Sequence, residues 1–233
     1  MIKEAIILAG GFGTRLKTLV DETPKAMALI KERPFLIYVL EHLLKSGVEK
    51  AVIAAGYKHE YISDYFGNSY KDISLEYSIE NKPLGTGGAI FKAIKLISLN
   101  YCYVLNGDTF FDFDLSLFEE SFSKYPSVLS VALKPMASFD RYGSVTVERG
   151  RIISFNEKKF CGKGLINGGV YILDKMWIKS HAPGKIFSFE KDILEKHVSK
   201  DFFSYFLSDT YFIDIGVPED YLKAVREMPE LAF

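Results

Sequence analysis

Ala5-Ile6-Ile7-Leu8-Ala9-Gly10-Gly11-Phe12-Gly13-Thr14-Arg15-Leu16 is the stretch on which the fold turns. Its first five residues form an unbroken apolar run, the pattern of a strand covered on both faces in a parallel sheet. Glycines at 10, 11 and 13 then break the run, and the stretch ends with a hydroxyl, a guanidinium and a leucine. Without a Cβ, glycine turns sharply and lets a ligand approach backbone N–H groups. Such a loop leaving a strand cradles a polyphosphate, with Arg15 adding a fixed positive charge. Two familiar readings fail on spacing. A P-loop needs Gly-Lys after four residues, but Arg15 stands there when counting from Gly10. The dinucleotide fingerprint accepts Gly11 and Gly13 but meets Leu16 where its third glycine belongs.

The composition narrows the class. A chain of 233 residues suits one large α/β domain, and 48% hydrophobic with 25% charged residues supports a substantial core. With 29 basic and 30 acidic residues the net charge is −1, so no global positive field exists to hold nucleic acid. Any anion has to be bound by locally placed charges. Cys102 and Cys161 are too few for a disulfide framework, and Cys102 lies in the apolar run Tyr101–Leu105. The four histidines are scattered without ligand spacing, so no metal site is read among them. Met1-Ile2-Lys3-Glu4 leads straight into the first strand, leaving no room for a signal peptide. No apolar run approaches the roughly 18 residues of a membrane span. The expectation is a cytoplasmic protein without a membrane partner; the aromatic count leaves a homo-oligomer open.

Taken in order, the chain alternates strands and helices. Pro24 stiffens the segment carrying Lys25. A helix is expected over 34–46, a strand over 48–56, a short helix over 58–66 and a strand over 75–79. A second glycine-rich stretch, Glu80-Asn81-Lys82-Pro83-Leu84-Gly85-Thr86-Gly87-Gly88-Ala89, follows that strand and precedes a helical pattern over 89–97. It reads as another loop at the same sheet edge. A strand over 101–105 ends in Asn106-Gly107-Asp108, and a carboxylate at the carboxyl end of a parallel strand lies where α/β sheets bind ligands. Asp112 and Asp114 read as a loop residue and a helix cap. A strand over 127–133 precedes a hairpin, 142–147 and 151–156, that turns at Arg149-Gly150 and is closed by Glu157-Lys158. The last strand, 211–216, carries Asp214, followed by a helix over 218–228.

Leu8 through Leu16 matches, without a mismatch, the opening loop Leu-Ala-Gly-Gly-x-Gly-Thr-Arg-Leu of the sugar-phosphate nucleotidyltransferases, which this chain resembles closely over almost its whole length. The resemblance implies a single-domain α/β, Rossmann-like fold with a mixed, mainly parallel sheet flanked by helices. Residues of about 1–110 would form the nucleotide-binding half and about 111–233 the sugar-phosphate-binding half. It gives the nucleotide to Leu8, Gly10, Gly11, Gly13, Thr14, Arg15, Lys25, Glu80, Gly85 and Thr86. It gives the sugar phosphate to Asp108, Gly143, Glu157, Lys158 and Asn167, and Mg²⁺ to Asp108 and Asp214. Arg15, Lys25, Asp108, Lys158 and Asp214 would form the catalytic set.

The residue type at 80 bears on the base. A carboxylate only accepts, and guanine offers two adjacent donors, so Glu80 favours GTP. The Pro-Lys-Ala-Met and Glu-x-x-Pro-Leu-Gly-Thr-Gly-Gly-Ala forms, with the short chain, look most like enzymes that join GTP to D-glycero-D-manno-heptose 1-phosphate, giving GDP-heptose for capsule or lipopolysaccharide. A uridylyl-, cytidylyl- or thymidylyltransferase for another sugar 1-phosphate stays open, as does a non-catalytic nucleotide-sugar sensor.

Overall fold

The computed structural model describes residues 1–11 and 23–228. The chain begins with β1 (Glu4–Leu8), and after a 3-10 turn at Lys25–Met27 it makes a small ribbon from β2 (Leu29–Ile30) and β3 (Arg33–Pro34). Then come α1 (Phe35–Lys45), β4 (Lys50–Ala55), α2 (Glu60–Phe66), β5 (Ser69–Tyr70), β6 (Ile73–Ile79) and α3 (Gly85–Ala93). The middle of the chain supplies β7 (Tyr101–Asn106), β8 (Thr109–Phe111), α4 (Leu115–Ser123) and β9 (Leu129–Phe139). The hairpin β10 (Gly143–Glu148) and β11 (Arg151–Lys158) leads to the long β12 (Cys161–Asp174) and α5 (Lys175–His181). A π-helical turn (Phe189–Leu194), α6 (Glu195–His197), β13 (Phe203–Leu207), β14 (Phe212–Asp214) and α7 (Pro218–Glu227) complete it.

Ten strands form one mixed sheet in which β7, β1, β4 and β6 are parallel neighbours in that order. β12 continues it antiparallel beside β7, with the β10–β11 hairpin beyond and β9 and β13 packed on its other edge. The opening apolar run behaves as its pattern requires. Ile6 and Ile7 are both fully buried but face opposite ways, Ile7 into the layer that holds α1 and Ile6 into the layer that holds α3. Period-2 alternation with both faces covered is what makes β1 continuous in hydrophobicity.

Three expectations are corrected. The strand expected over 127–133 runs on to Phe139, because β12 pairs with it along most of its length. The helix expected over 89–97 starts at Gly85, so the second glycine stretch is a helical first turn rather than a loop. The last strand, expected over 211–216, is confined to β14, and among the described residues β14 pairs with β8, antiparallel, in a two-stranded ribbon apart from the main sheet. That ribbon sits directly after the β7 strand end and sets Asp214 opposite Thr109.

His42 on α1 is buried edge-on against Phe110 and Phe113, and its Nε2 has no hydrogen-bond partner among the described residues. Burial is the largest cause that pulls its pKa down to about 4. A depressed native pKa means the unfolded chain takes up the proton first. The stability tied to this group is therefore complete above about pH 6.5 and lost as pH falls toward 4, about 2 kcal/mol by pH 5. Urea midpoints at pH 7.5 and 5 are expected to lie closer together in His42→Leu than in the parent. An equal pH slope in both would remove His42 as the cause.

Candidate functional site

The carboxyl ends of β1, β4 and β6 converge on Glu80. Its backbone N–H donates to Ala55 (2.8 Å), and Leu84 N–H donates to its Oε2 (3.0 Å). A Cβ on Gly10 would lie 3.4 Å from Glu80 Oε1, and one on Gly56 would lie 3.6 Å from the Glu80 Cβ. Both are ordinary contact distances, so the carboxylate packs closely between the two strand ends. A cavity of about 280 Å³ opens beside it, lined by Gly10, Gly56, Tyr57, His59, Glu80 and Pro83. Burial holds the Glu80 carboxyl above its usual range, opposed by the Leu84 N–H and the charge of Lys92. A desolvated acceptor of this kind has most to gain from a ligand that brings donors.

The second part lies at the end of β7. Lys25 Nζ contacts Asp108 Oδ2 at 3.2 Å, and the Asp108 carbonyl accepts from Ile215 N–H (3.0 Å), which ties the two strand ends together. Asp214 Oδ1 accepts from Gly216 N–H (2.8 Å). Its carboxyl is pushed above the usual range, first by burial and then by the charge of Asp108; Lys25 and Arg141 act the other way. Two carboxylates therefore share one small region, with Lys25 the contacting lysine among the described residues.

A larger cavity, about 600 Å³, runs from Asp214 across the second half of the sheet. Gly143, Glu157, Lys158 and Asn167, which the resemblance gives to the sugar phosphate, all line it. The β10–β11 pairing sets Gly143 opposite Lys158, so the hairpin delivers both to the same rim. Gly143 has a further reason to be glycine: a Cβ there would lie 2.4 Å from the Asn156 carbonyl oxygen. The Asn167 amide donates to Tyr171 Oη (2.8 Å) and accepts from Gly169 N–H (2.9 Å), pinning a register shift in β12.

Gly85 and Thr86, expected against the nucleoside, are engaged with the protein itself. A Cβ on Gly85 would lie 2.5 Å from the Phe187 carbonyl oxygen. Thr86 Oγ1 donates to Glu190 Oε2 (2.7 Å) and accepts from Phe189 N–H (2.9 Å). These residues dock the segment 185–190 onto α3, and that segment brings Ser188 and Glu190 into the large cavity. Gly13, Thr14 and Arg15 lie outside the described residues; Leu8, Gly10 and Gly11 stand at the end of β1.

Sequence reasoning missed Arg141, Tyr142 and Glu190. Arg141 Nη1 pairs with Asp220 Oδ2 at 2.6 Å, and its guanidinium lies 5.6 Å from the centroid of the Tyr142 ring, which lines the large cavity. Burial, followed by the charge of Asp214, raises the Tyr142 phenol's pKa and keeps it protonated. No short motif marks these residues. The Arg-Tyr pair before Gly143 was the available signal.

A family model described as nucleotidyl transferase matches residues 4–230. The chain is 48% identical over 225 residues to a D-glycero-alpha-D-manno-heptose 1-phosphate guanylyltransferase of Aneurinibacillus thermoaerophilus, covering 97% of this chain and 98% of that protein. It is also 48% identical over 219 residues to an enzyme described in the same words from Campylobacter jejuni, covering 94% and 96%. A crystal structure of HddC from Yersinia pseudotuberculosis complexed with GMP-PN superposes with a TM-score of 0.86 at 40% identity, covering 97% of this chain and all of that one.

Proposed function

This chain belongs to the nucleotidyl transferase family, and on that premise we propose that it transfers guanylyl from GTP to D-glycero-D-manno-heptose 1-phosphate, releasing pyrophosphate and giving GDP-heptose. The observation that carries the base is Glu80, a half-buried carboxylate facing a small cavity at the end of three parallel strands. Guanine N1–H and the N2 amine are the adjacent donors it lacks; uracil and thymine would set carbonyl oxygens against it. The sugar is supported by the near full-length likeness to the heptose enzymes.

The chemistry asks little of covalent catalysis. A phosphate oxygen of the sugar 1-phosphate attacks the α-phosphorus, the bond to the β-phosphate oxygen breaks, and its electron pair leaves with pyrophosphate. The attacking phosphate is already ionised, so no general base is needed. The barrier lies in bringing anions together and stabilising charge in the transition state, which positioned cations do. Lys158 on the hairpin rim binds the sugar phosphate, and Asn167 and Glu157 orient the sugar hydroxyls. Arg15 and Lys25 hold the triphosphate.

Asp108 and Asp214 fit a hard divalent cation. They supply oxygen donors only, their negative charges oppose each other, and Lys25 offsets one of the two. Mg²⁺ is commonly held by one or two carboxylates together with phosphate oxygens. When bound it neutralises charge on the phosphoryl oxygens. As the triphosphate arrives, Lys25 exchanges its contact with Asp108 for one with phosphate, while Gly216 N–H keeps Asp214 in place.

Pyrophosphate release with Mg²⁺, crossing four nucleoside triphosphates with a panel of sugar 1-phosphates, tests the reading. Release with GTP and the manno-heptose 1-phosphate is expected. Release with a different pair would overturn the substrate assignment, and nucleotide binding without release would overturn the activity. Glu80→Gln is expected to lower kcat/KM for GTP by about 10-fold or more while changing that for UTP little, as one charged hydrogen-bonding partner is lost. An unchanged GTP:UTP ratio would make Glu80 a bystander.

A further inference from the structure

Two of the chain's four histidines, 16 residues apart and without ligand spacing, meet in space. The His181 and His197 rings stand edge to face with centroids 4.9 Å apart. One ligand atom from each, with a carboxylate oxygen of Asp201, all lie within 4.8 Å of one another, and all three residues are half-buried. We propose that His181, His197 and Asp201 form a binding site for a divalent transition metal ion of the zinc class, separate from the carboxylate pair Asp108 and Asp214.

The chemistry of the donor set carries this. His181 Nδ1 lies 2.9 Å from the Trp177 carbonyl oxygen and 3.0 Å from Ser180 Oγ, and the tautomer with the proton on Nδ1 donates to that carbonyl, which can only accept. The ring's lone pair is then on Nε2, the arrangement found when a ligating histidine is oriented by a backbone carbonyl. His197 Nδ1 lies 3.4 Å from Asp201 Oδ2, one turn on, so these two present together. Two imidazoles and a carboxylate make a nitrogen-rich set that suits zinc, cobalt or nickel and does not suit magnesium. Tetrahedral ligands at zinc lie roughly 3.3 Å apart, so the site closes with side-chain rotations of about 1.5 Å. A fourth position stays open to water.

The placement gives the ion a structural consequence. His181 ends α5 and His197 ends α6, and the chain between them includes the segment that docks on α3 and carries Ser188 and Glu190 into the large cavity. A metal here would clasp both ends of that excursion. The proposal does not depend on the substrate assigned above.

The chain carries its own reporter. Trp177 is the single tryptophan, stacked on His181 with centroids 4.9 Å apart and edge-on to His197 at 5.8 Å. Chelator-treated full-length protein is titrated with Co²⁺, and Trp177 fluorescence is followed in the presence of millimolar Mg²⁺. Saturable quenching at one ion per chain is expected, with competition by Zn²⁺ and a Zn²⁺-dependent rise of several degrees in Tm. His197→Gln, His181→Gln and Asp201→Asn are each expected to weaken Co²⁺ at least 10-fold. Asp108→Asn is expected to leave the isotherm unchanged. Absence of saturable quenching up to millimolar Co²⁺ would overturn the proposal. So would quenching that survives in the folded Gln and Asn variants, or that disappears in Asp108→Asn. If one histidine variant fails to fold, the partly exposed Asp201→Asn still decides the question.

Discussion

Asp108→Asn is expected to lower turnover by about 10²–10³-fold, roughly 2.7–4 kcal/mol of transition-state stabilisation, while the protein remains folded. The substitution keeps the shape of the side chain and removes one unit of negative charge. The Lys25–Asp108 contact it weakens is partly solvated, and such pairs contribute little to stability. The charge of Asp108 is also one of the two main causes that push the Asp214 carboxyl upward, so removing it relieves a repulsion. Tm should accordingly hold steady or rise a little while activity collapses, the pattern of a site whose charges are arranged for a ligand rather than for the empty protein. Asp214→Asn should behave similarly, and a single ion shared by both carboxylates, as proposed, predicts that the double variant loses much less than the product of the two single losses. Activity is measured as pyrophosphate release across a Mg²⁺ series. Near-parental turnover in Asp108→Asn would remove the residue from the catalytic set, and multiplicative losses in the double variant would mean that the two carboxylates act separately.

Gly88→Ala is the second large effect. Alanine in a helix ordinarily gains close to 1 kcal/mol over glycine, so propensity alone predicts a more stable protein. The opposite is expected. A Cβ at position 88 would lie 2.4 Å from the Lys185 carbonyl oxygen and 2.8 Å from the Leu84 side chain. The closer clash is with backbone, which cannot swing away as a side chain does. Overpacking of this kind costs about 1–3 kcal/mol, which at this chain length lowers Tm by roughly 2–12 °C. The segment 185–190 would lift from α3, carrying Ser188 and Glu190 with it, so KM for the sugar phosphate should rise more than KM for the nucleotide. Gly162→Ala is the control, since a Cβ there meets nothing within 4 Å. Equal Tm values for the two variants would show that α3 and the 185–190 segment are less tightly fitted than their geometry requires.

What could be read in the sequence, and what could not, divides by distance along the chain. The apolar run Ala5–Ala9, the Asp114 cap, the turn at Arg149-Gly150 and the strand-end position of Asp108 are local features, and each is found where its pattern puts it. Glu80 was legible because a strand pattern ends beside it. Gly85, Gly87 and Gly88 were read as a loop rather than as the first turn of α3, because the groups packed against them belong to residues 185–189, about 100 positions later. Arg141, Tyr142 and Glu190 were missed for the same reason: their partners Asp220, Asp214 and Thr86 are far away in sequence. The meeting of His181 and His197 was hidden likewise, since only the return of the chain through α6 brings the two rings together. Asp214 was placed at a strand end correctly, but its partner strand was not legible, because a three-residue strand carries no sign of which edge it will meet.

The pairing of β12 with β7 has a consequence for how the polypeptide can be divided. Val170 through Asp174 are laddered against Leu105 through Tyr101, so the strand that ends at the carboxylates is sealed on one side by residues from far along the chain. A fragment ending near residue 110 would leave β7 as a bare, apolar sheet margin, open to pairing with any other copy. Such a fragment should self-associate rather than bind nucleotide, and supplying the remainder in trans should restore solubility only by re-forming that seam. Whatever allocation of substrates the two halves make, they share one act of folding.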